Sequence, residues 1–143
     1  DPRVGGVGIS THDRSLAAEM TRNGEADVLM VRYNAAHTGA EQAIFPFLEP
    51  HRPSVLSYTA TRWTQLLRRP RGWPKGDFIA SAAQCYRFVL SSPCVNVCLT
   101  APTNLGQFQE NVRALSQGPL TEDEMIPMRR FGQFVHDRQS WFM

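Results

Sequence analysis

Apolar positions along the chain change period repeatedly, and the changes divide it into short strands and amphipathic helices. Val4-Gly5-Gly6-Val7-Gly8-Ile9-Ser10 reads as a first strand, with glycines where another backbone or a ligand must approach closely. Asp13 is placed to cap a helix through Leu16, Ala17 and Met20, and Asn23-Gly24 supplies the stop. Asp27 to Tyr33 is a second strand, nearly continuous in apolar residues, which predicts burial on both faces and a parallel sheet. A short helical stretch from Glu41 to Leu48 is interrupted at Pro46, and Ser54 to Tyr58 forms a third strand. Residues 59–76, with Pro70, Gly72, Pro74 and Gly76, read as a long polar connection.

Asp77 then opens a predicted helix in which Ala82, Cys85, Tyr86 and Val89 share one face. Val95 to Leu99 is a fourth strand. Leu105 to Leu115 is a helix with Phe108, Val112 and Leu115 on one side. Thr121-Glu122-Asp123-Glu124 has capping-box spacing and starts a last helix through Met125, Met128 and Val135. Four strand–helix units and one extra helix predict a parallel α/β sheet. No linker divides residues 1–143, so one structural unit is expected.

Composition narrows the functional classes. In 143 residues, 42% are hydrophobic and 20% charged, with a net charge of +2, which suits one core and is too mild to imply a nucleic-acid footprint. No apolar run approaches the ~20 residues of a membrane span. The opening residues lack a basic-then-apolar leader, so a soluble, cytoplasmic chain is expected. Three cysteines without a CxxC pair and four histidines without ligand spacing argue against a disulfide framework or a structural metal.

Four segments carry a further signal: Gly8-Ile9-Ser10-Thr11, Val31-Arg32-Tyr33-Asn34, Ser57-Tyr58-Thr59-Ala60 and Gln107-Phe108-Gln109-Glu110-Asn111. In that order at the ends of successive predicted strands, and followed by the Gly-Pro-Leu-Thr-Glu-Asp-Glu run at 118–124, they resemble the aldo/keto reductase family. The resemblance implies half of a (β/α)8 barrel, the C-terminal half, since a complete barrel takes about 250 residues. It also implies that the family's Asp, Tyr, Lys and His tetrad lies in the other half, leaving no catalytic residue in this chain.

What the resemblance assigns to this half is an NADP(H) site. Ser10 would hydrogen-bond the nicotinamide carboxamide with Thr11 beside it, and Tyr58 would stack on the ring. Thr59 and Thr61 would line the pyrophosphate path. Gln107 and Asn111, one helical turn apart, would meet the adenosine end. Met30 stands where a carboxamide-binding Gln is common, and Ala101 and Gln107 stand where Lys and Arg often neutralise the 2′-phosphate. Any replacement charge falls to Arg62 or Arg113.

Taken without the resemblance, Met30 reads as core, His37 as an exposed loop histidine, Arg68-Arg69-Pro70-Arg71 as a solvated loop, and Cys94 and Cys98 as small core residues. The two functions in competition are the cofactor-binding half of a carbonyl reductase and a self-associating half-barrel. A four-stranded open sheet has two unpaired edges and an uncovered inner face, which predicts a homodimer or larger assembly.

Overall fold

The computed structural model describes residues 2–138. Its four strands are β1 (Gly8–Ser10), β2 (Val28–Arg32), β3 (Ser54–Tyr58) and β4 (Val97–Cys98). They are parallel and stand in the order of the chain. Each is followed by a helix, α1 (Arg14–Arg22), α2 (Ala40–Ala43), α3 (Ala82–Leu90) and α4 (Leu105–Gln117), and α5 (Glu122–Asp137) comes last. Strands added always on the same side give a barrel wall, whereas a doubly wound sheet reverses direction.

Register separates the two faces of the wall. Ile9, Leu29 and Val55 align across three strands, and Leu29, Val31, Val55 and Ser57 are buried under the helices. Ser10, Met30, Leu56 and Val97 form the matching row on the other face, where Met30 and Leu56 are half-buried and Ser10 and Val97 exposed. β2 is thus buried on one face only, contrary to the reading of its apolar run, and Met30 lies outside the core. Its apolar residues on the second face suit a barrel interior, where facing strands would meet them.

Helix boundaries follow side-chain chemistry. Asp13 accepts from the Ser15 and Leu16 N–H groups to cap α1. Thr121 and Glu124 form the expected capping box on α5, a device worth about 1 kcal/mol. The predicted start of α3 at Asp77 is displaced to Ser81, because Ser81 and Gln84 form a complete capping box. Asp77 instead binds the Phe78 N–H and pairs with Arg130 of α5. The stretch read as Glu41–Leu48 is α2 followed by a 3-10 turn at Phe45–Phe47, with Pro46 in its first turn.

The connection at 59–76 is packed, not a loose polar loop. Leu66 and Trp73 are buried, with Leu66 in a second 3-10 turn at Gln65–Leu67. Trp73 meets Phe131 and Phe134 of α5 edge-on, at centroid distances of 5.2 and 4.8 Å. Phe131 is fully buried, a contribution of about 2–3 kcal/mol. By contrast, the α4 stripe of Leu105, Phe108, Val112 and Leu115 remains exposed.

Two close fits hold α5. Gly132 lies so near the loop after β2 that a Cβ there would fall 2.1 Å from the Ala35 carbonyl oxygen. Arg87 of α3 is buried and reaches the start of α5. It donates to the Gly118 and Pro119 carbonyls at 2.9 and 3.0 Å and to both Glu124 carboxylate oxygens at 2.6 and 2.7 Å.

Candidate functional site at the strand C-terminal ends

The parallel order brings the strand C-termini to one rim, the place where barrel folds hold ligands. At the end of β1, Ser10 is exposed, and the Thr11 hydroxyl accepts the Asp13 N–H at 3.0 Å. Tyr58 ends β3 on the inner face, in register with Arg32 of β2. The Tyr58 hydroxyl and His12 Nδ1 are 3.1 Å apart, and the two rings meet edge to face at 6.0 Å. Ser10 stands level with Leu56, two strands across, and Tyr58 lies two residues further along the same strand. Burial raises the Tyr58 pKa, while the neighbouring Arg32 cation works against the rise.

Beyond Tyr58 the backbone is left-handed at Thr59, Arg62, Trp63 and Thr64. The Thr59 hydroxyl donates to the Tyr58 carbonyl, and Thr61 Oγ1 accepts the Thr64 N–H. The backbone N–H groups of Thr61 and Trp63 donate to nothing among the described residues. Such unspent donors in a tight loop suit an anion. Arg62 cannot serve as the phosphate counter-charge: it is buried, and its guanidinium donates to the Val135 carbonyl at 2.8 Å. Arg113 is exposed on α4.

Gln107 and Asn111 belong to a second group, around α4. Gln107 Oε1 accepts from both the N–H and the hydroxyl of Thr103, at 2.8 and 2.9 Å. Asn111 donates to the Thr100 hydroxyl at 2.7 Å, and Tyr86 meets the same oxygen at 2.8 Å. Tyr86, Thr100 and Asn111, but not Gln107, edge an apolar cavity of ≈ 110 Å³ lined also by Cys98, Phe108 and Val112. The structure therefore places Ser10, Thr11, Tyr58, Thr59 and Thr61 at the strand C-terminal ends, and sets the two amides apart from them on α4.

Four residues at this rim are assigned no role from the sequence, although Arg32 and Asn34 stand in one of the four matching segments: His12, Arg32, Asn34 and His37. Asn34 is fully buried; its Nδ2 donates to the Thr59 carbonyl at 2.8 Å, and its Oδ1 accepts the Ala36 N–H at 3.0 Å. It ties the loops after β2 and β3 together. The period-two pattern of β2 is a usable signal for Arg32, which falls on the inner face with Met30. His37, read as an exposed loop histidine, is only 6% exposed, because α5 folds over its loop. Cys85 and Cys98 are free, and burial pushes both thiols up to about 12, so neither is a nucleophile at neutral pH. No helix among the described residues is long and apolar enough to cross a membrane.

Four consecutive parallel βα units with the helices on one face constitute half of a (β/α)8 barrel. Among solved structures, the chain is similar to the aldo-keto reductase AKR11C1 from Bacillus halodurans in its holo form, with a TM-score of 0.66 and 20% identity. The apo form of that reductase gives 0.65 at the same identity. The match covers 90% of this chain but 49% and 50% of those chains, so the sequence spans about half the length of the reductases it resembles in fold. No family model and no curated protein sequence matches it.

Proposed function

We propose that the chain is the nicotinamide-nucleotide half of an NAD(P)H-dependent carbonyl reductase of the aldo-keto type, inactive without the other half. The observation that carries this reading is the half-barrel fold with Ser10, Arg32, Tyr58 and the unspent Thr61 and Trp63 N–H groups on one rim. Those groups suit such a cofactor: a hydroxyl for the carboxamide, an aromatic face for the ring, and donors with a cation for the phosphates. When bound, the cofactor supplies a hydride. This half would orient it through Ser10 and Tyr58, while the proton donor belongs to the other half. Met30 weakens the carboxamide end, since a thioether is a poor hydrogen-bonding partner. Ala101 and Gln107 bring no cation for a 2′-phosphate.

Titration with NADPH, followed by tryptophan fluorescence, tests the proposal. Trp63 is 61% exposed and five residues beyond Tyr58, so it reports on the loop. A saturable change competed by NADP+ is expected, absent in Trp63→Phe and shifted about tenfold weaker in Tyr58→Ala. No response at millimolar nucleotide in a folded sample overturns the reading.

A second reading, self-association, is favoured by the uncovered inner face, where Val97 is 43% exposed on edge strand β4. Pairing of the β1 and β4 edges between two copies would cover it. Sedimentation should then give a dimer mass that Val97→Lys reduces to a monomer. A single monomer mass across a wide concentration range rejects the idea.

A further inference from the structure

Behind the rim, an open cleft of ≈ 210 Å³ lies between the first turn of α1, the loop after β2 and the last turns of α5. None of Ser10, Tyr58, Thr59, Thr61, Gln107 and Asn111 lines it, so the cleft is independent of the cofactor reading. Its lining holds Arg14, His37, Thr38, Gln133 and His136, and no carboxylate. Asp137, the nearest acid on α5, is engaged by the Gln133 amide at 2.6 Å.

Arg14 forms no ion pair among the described residues, yet its guanidinium is seated. A Cβ on Gly39 would fall 2.5 Å from Arg14 Cζ. Gly39 has φ −59° and ψ −18°, a conformation open to any residue. The glycine is therefore needed for the guanidinium and not for the backbone.

The proton positions in the cleft follow from its hydrogen bonds. Because Asn34 Nδ2 donates to a carbonyl, its Oδ1 faces the Ala36 N–H and His37 Nδ1, the latter at 3.2 Å. An amide oxygen only accepts, so His37 carries its proton on Nδ1 and presents a lone pair on Nε2. That Nε2 bonds to nothing among the described residues. Nor is it among the buried unpartnered atoms, so it is not fully enclosed, and His37 lines the cleft. Burial, helped by Arg32, Arg62, His136 and Arg14, pushes the His37 pKa down to about 3 and keeps the ring neutral. His136 is fixed the same way, its Nδ1–H donating to the Ala36 carbonyl at 2.7 Å.

A cation beside a fixed acceptor selects an anion that still carries a proton. We propose that this cleft receives a protonated phosphate group, free or as a monoester. Arg14 and the Thr38 hydroxyl hold its anionic oxygens, and His37 Nε2 accepts the proton of its P–OH. A phosphate monoester loses its second proton near pH 6. Sulfate has no proton to offer and sets an oxygen lone pair against Nε2. The preference for phosphate should decline as pH rises and the phosphate loses that proton.

Calorimetric titration of the intact chain at pH 6 with sodium phosphate, glycerol 3-phosphate and sodium sulfate tests this. Phosphate or its monoester should bind at least about tenfold tighter than sulfate, also in His136→Gln, which removes the other imidazole. Binding of the monoester identifies an esterified ligand, and binding of inorganic phosphate alone a free one; both uphold the cleft. Gly39→Ala, which displaces the Arg14 guanidinium with no backbone penalty, should weaken phosphate about tenfold while leaving the thermal midpoint unchanged. Equal binding of sulfate and phosphate, or none of either at about 10 mM with its weak expected free energy, overturns the proposal.

Discussion

Gly132→Ala is expected to destabilise the protein by about 3 kcal/mol or more, against the sign that helix propensity predicts. Alanine in an exposed helix gains about 1 kcal/mol over glycine. Here the added Cβ would lie 2.1 Å from the Ala35 carbonyl oxygen and 2.4 Å from its carbon, both backbone atoms. The loop has little room to retreat, because Asn34 ties it to the Thr59 carbonyl and His136 holds the Ala36 carbonyl. The alternative is for α5 to lift, exposing Met128, Phe131 and Val135. Urea denaturation checks the loss, with Gly106→Ala on α4 as the control. A Cβ at Gly106 meets only the Asn104 side-chain oxygen, at 3.4 Å, so that variant should be neutral or slightly stabilised. A Gly132→Ala protein as stable as the parent would mean that α5 does not dock this closely.

Arg87→Ala should rank next, with an expected loss of about 3 kcal/mol. The substitution leaves the Gly118 and Pro119 carbonyls without their donors and Glu124 without its cation. Glu124→Gln should cost less, since Arg87 keeps both backbone carbonyls. A pH series separates the ion pair from the backbone clasp. The Arg87 hydrogen bonds, with the Thr121 N–H, hold the Glu124 carboxyl down at about 2, below its ordinary 4.5. A carboxyl whose folded pKa is lowered stabilises the fold above its unfolded pKa. That stabilisation is lost as pH falls from about 4.5 toward 2. Both variants should therefore show a flatter fall in stability across that window, read from urea midpoints. An unchanged slope would remove Glu124 from the account.

Where local chemistry decides the structure, the residues themselves disclose it. The Thr121–Glu124 and Asp13 caps, the Ser54–Tyr58 strand and the order of four βα units need only near neighbours. The sequence misleads where a distant element intervenes. Asp77 has the chemistry of a cap, but Arg130 claims it from 53 residues away. Residues 59–76 look polar, yet Leu66 and Trp73 anchor them once α5 supplies Phe131 and Phe134. His37 follows a strand like any loop histidine, and only the packing of α5 buries it. Among the site residues, Ser10 and Tyr58 lie at the rim where strand ends should put them. The motif does not disclose that the Gln107 and Asn111 side chains are already engaged by Thr103 and Thr100. Met30 reads as core and is not, because an apolar run in one strand does not say which face a neighbour covers.

The clamp made by α5 also bears on the order in which the molecule comes into being. Each strand–helix unit closes among near neighbours, but His136 reaches Ala36 across 100 residues and Arg129 reaches Glu41 across 88. A ribosome releases the chain from its N-terminus, so the loop after β2 emerges long before the helix that covers it. Until residues 128–136 leave the exit tunnel, Ala35, Ala36 and His37 stay open to water. The loop after β2 takes its folded shape only once α5 has packed, and until then the apolar side chains that α5 covers are exposed.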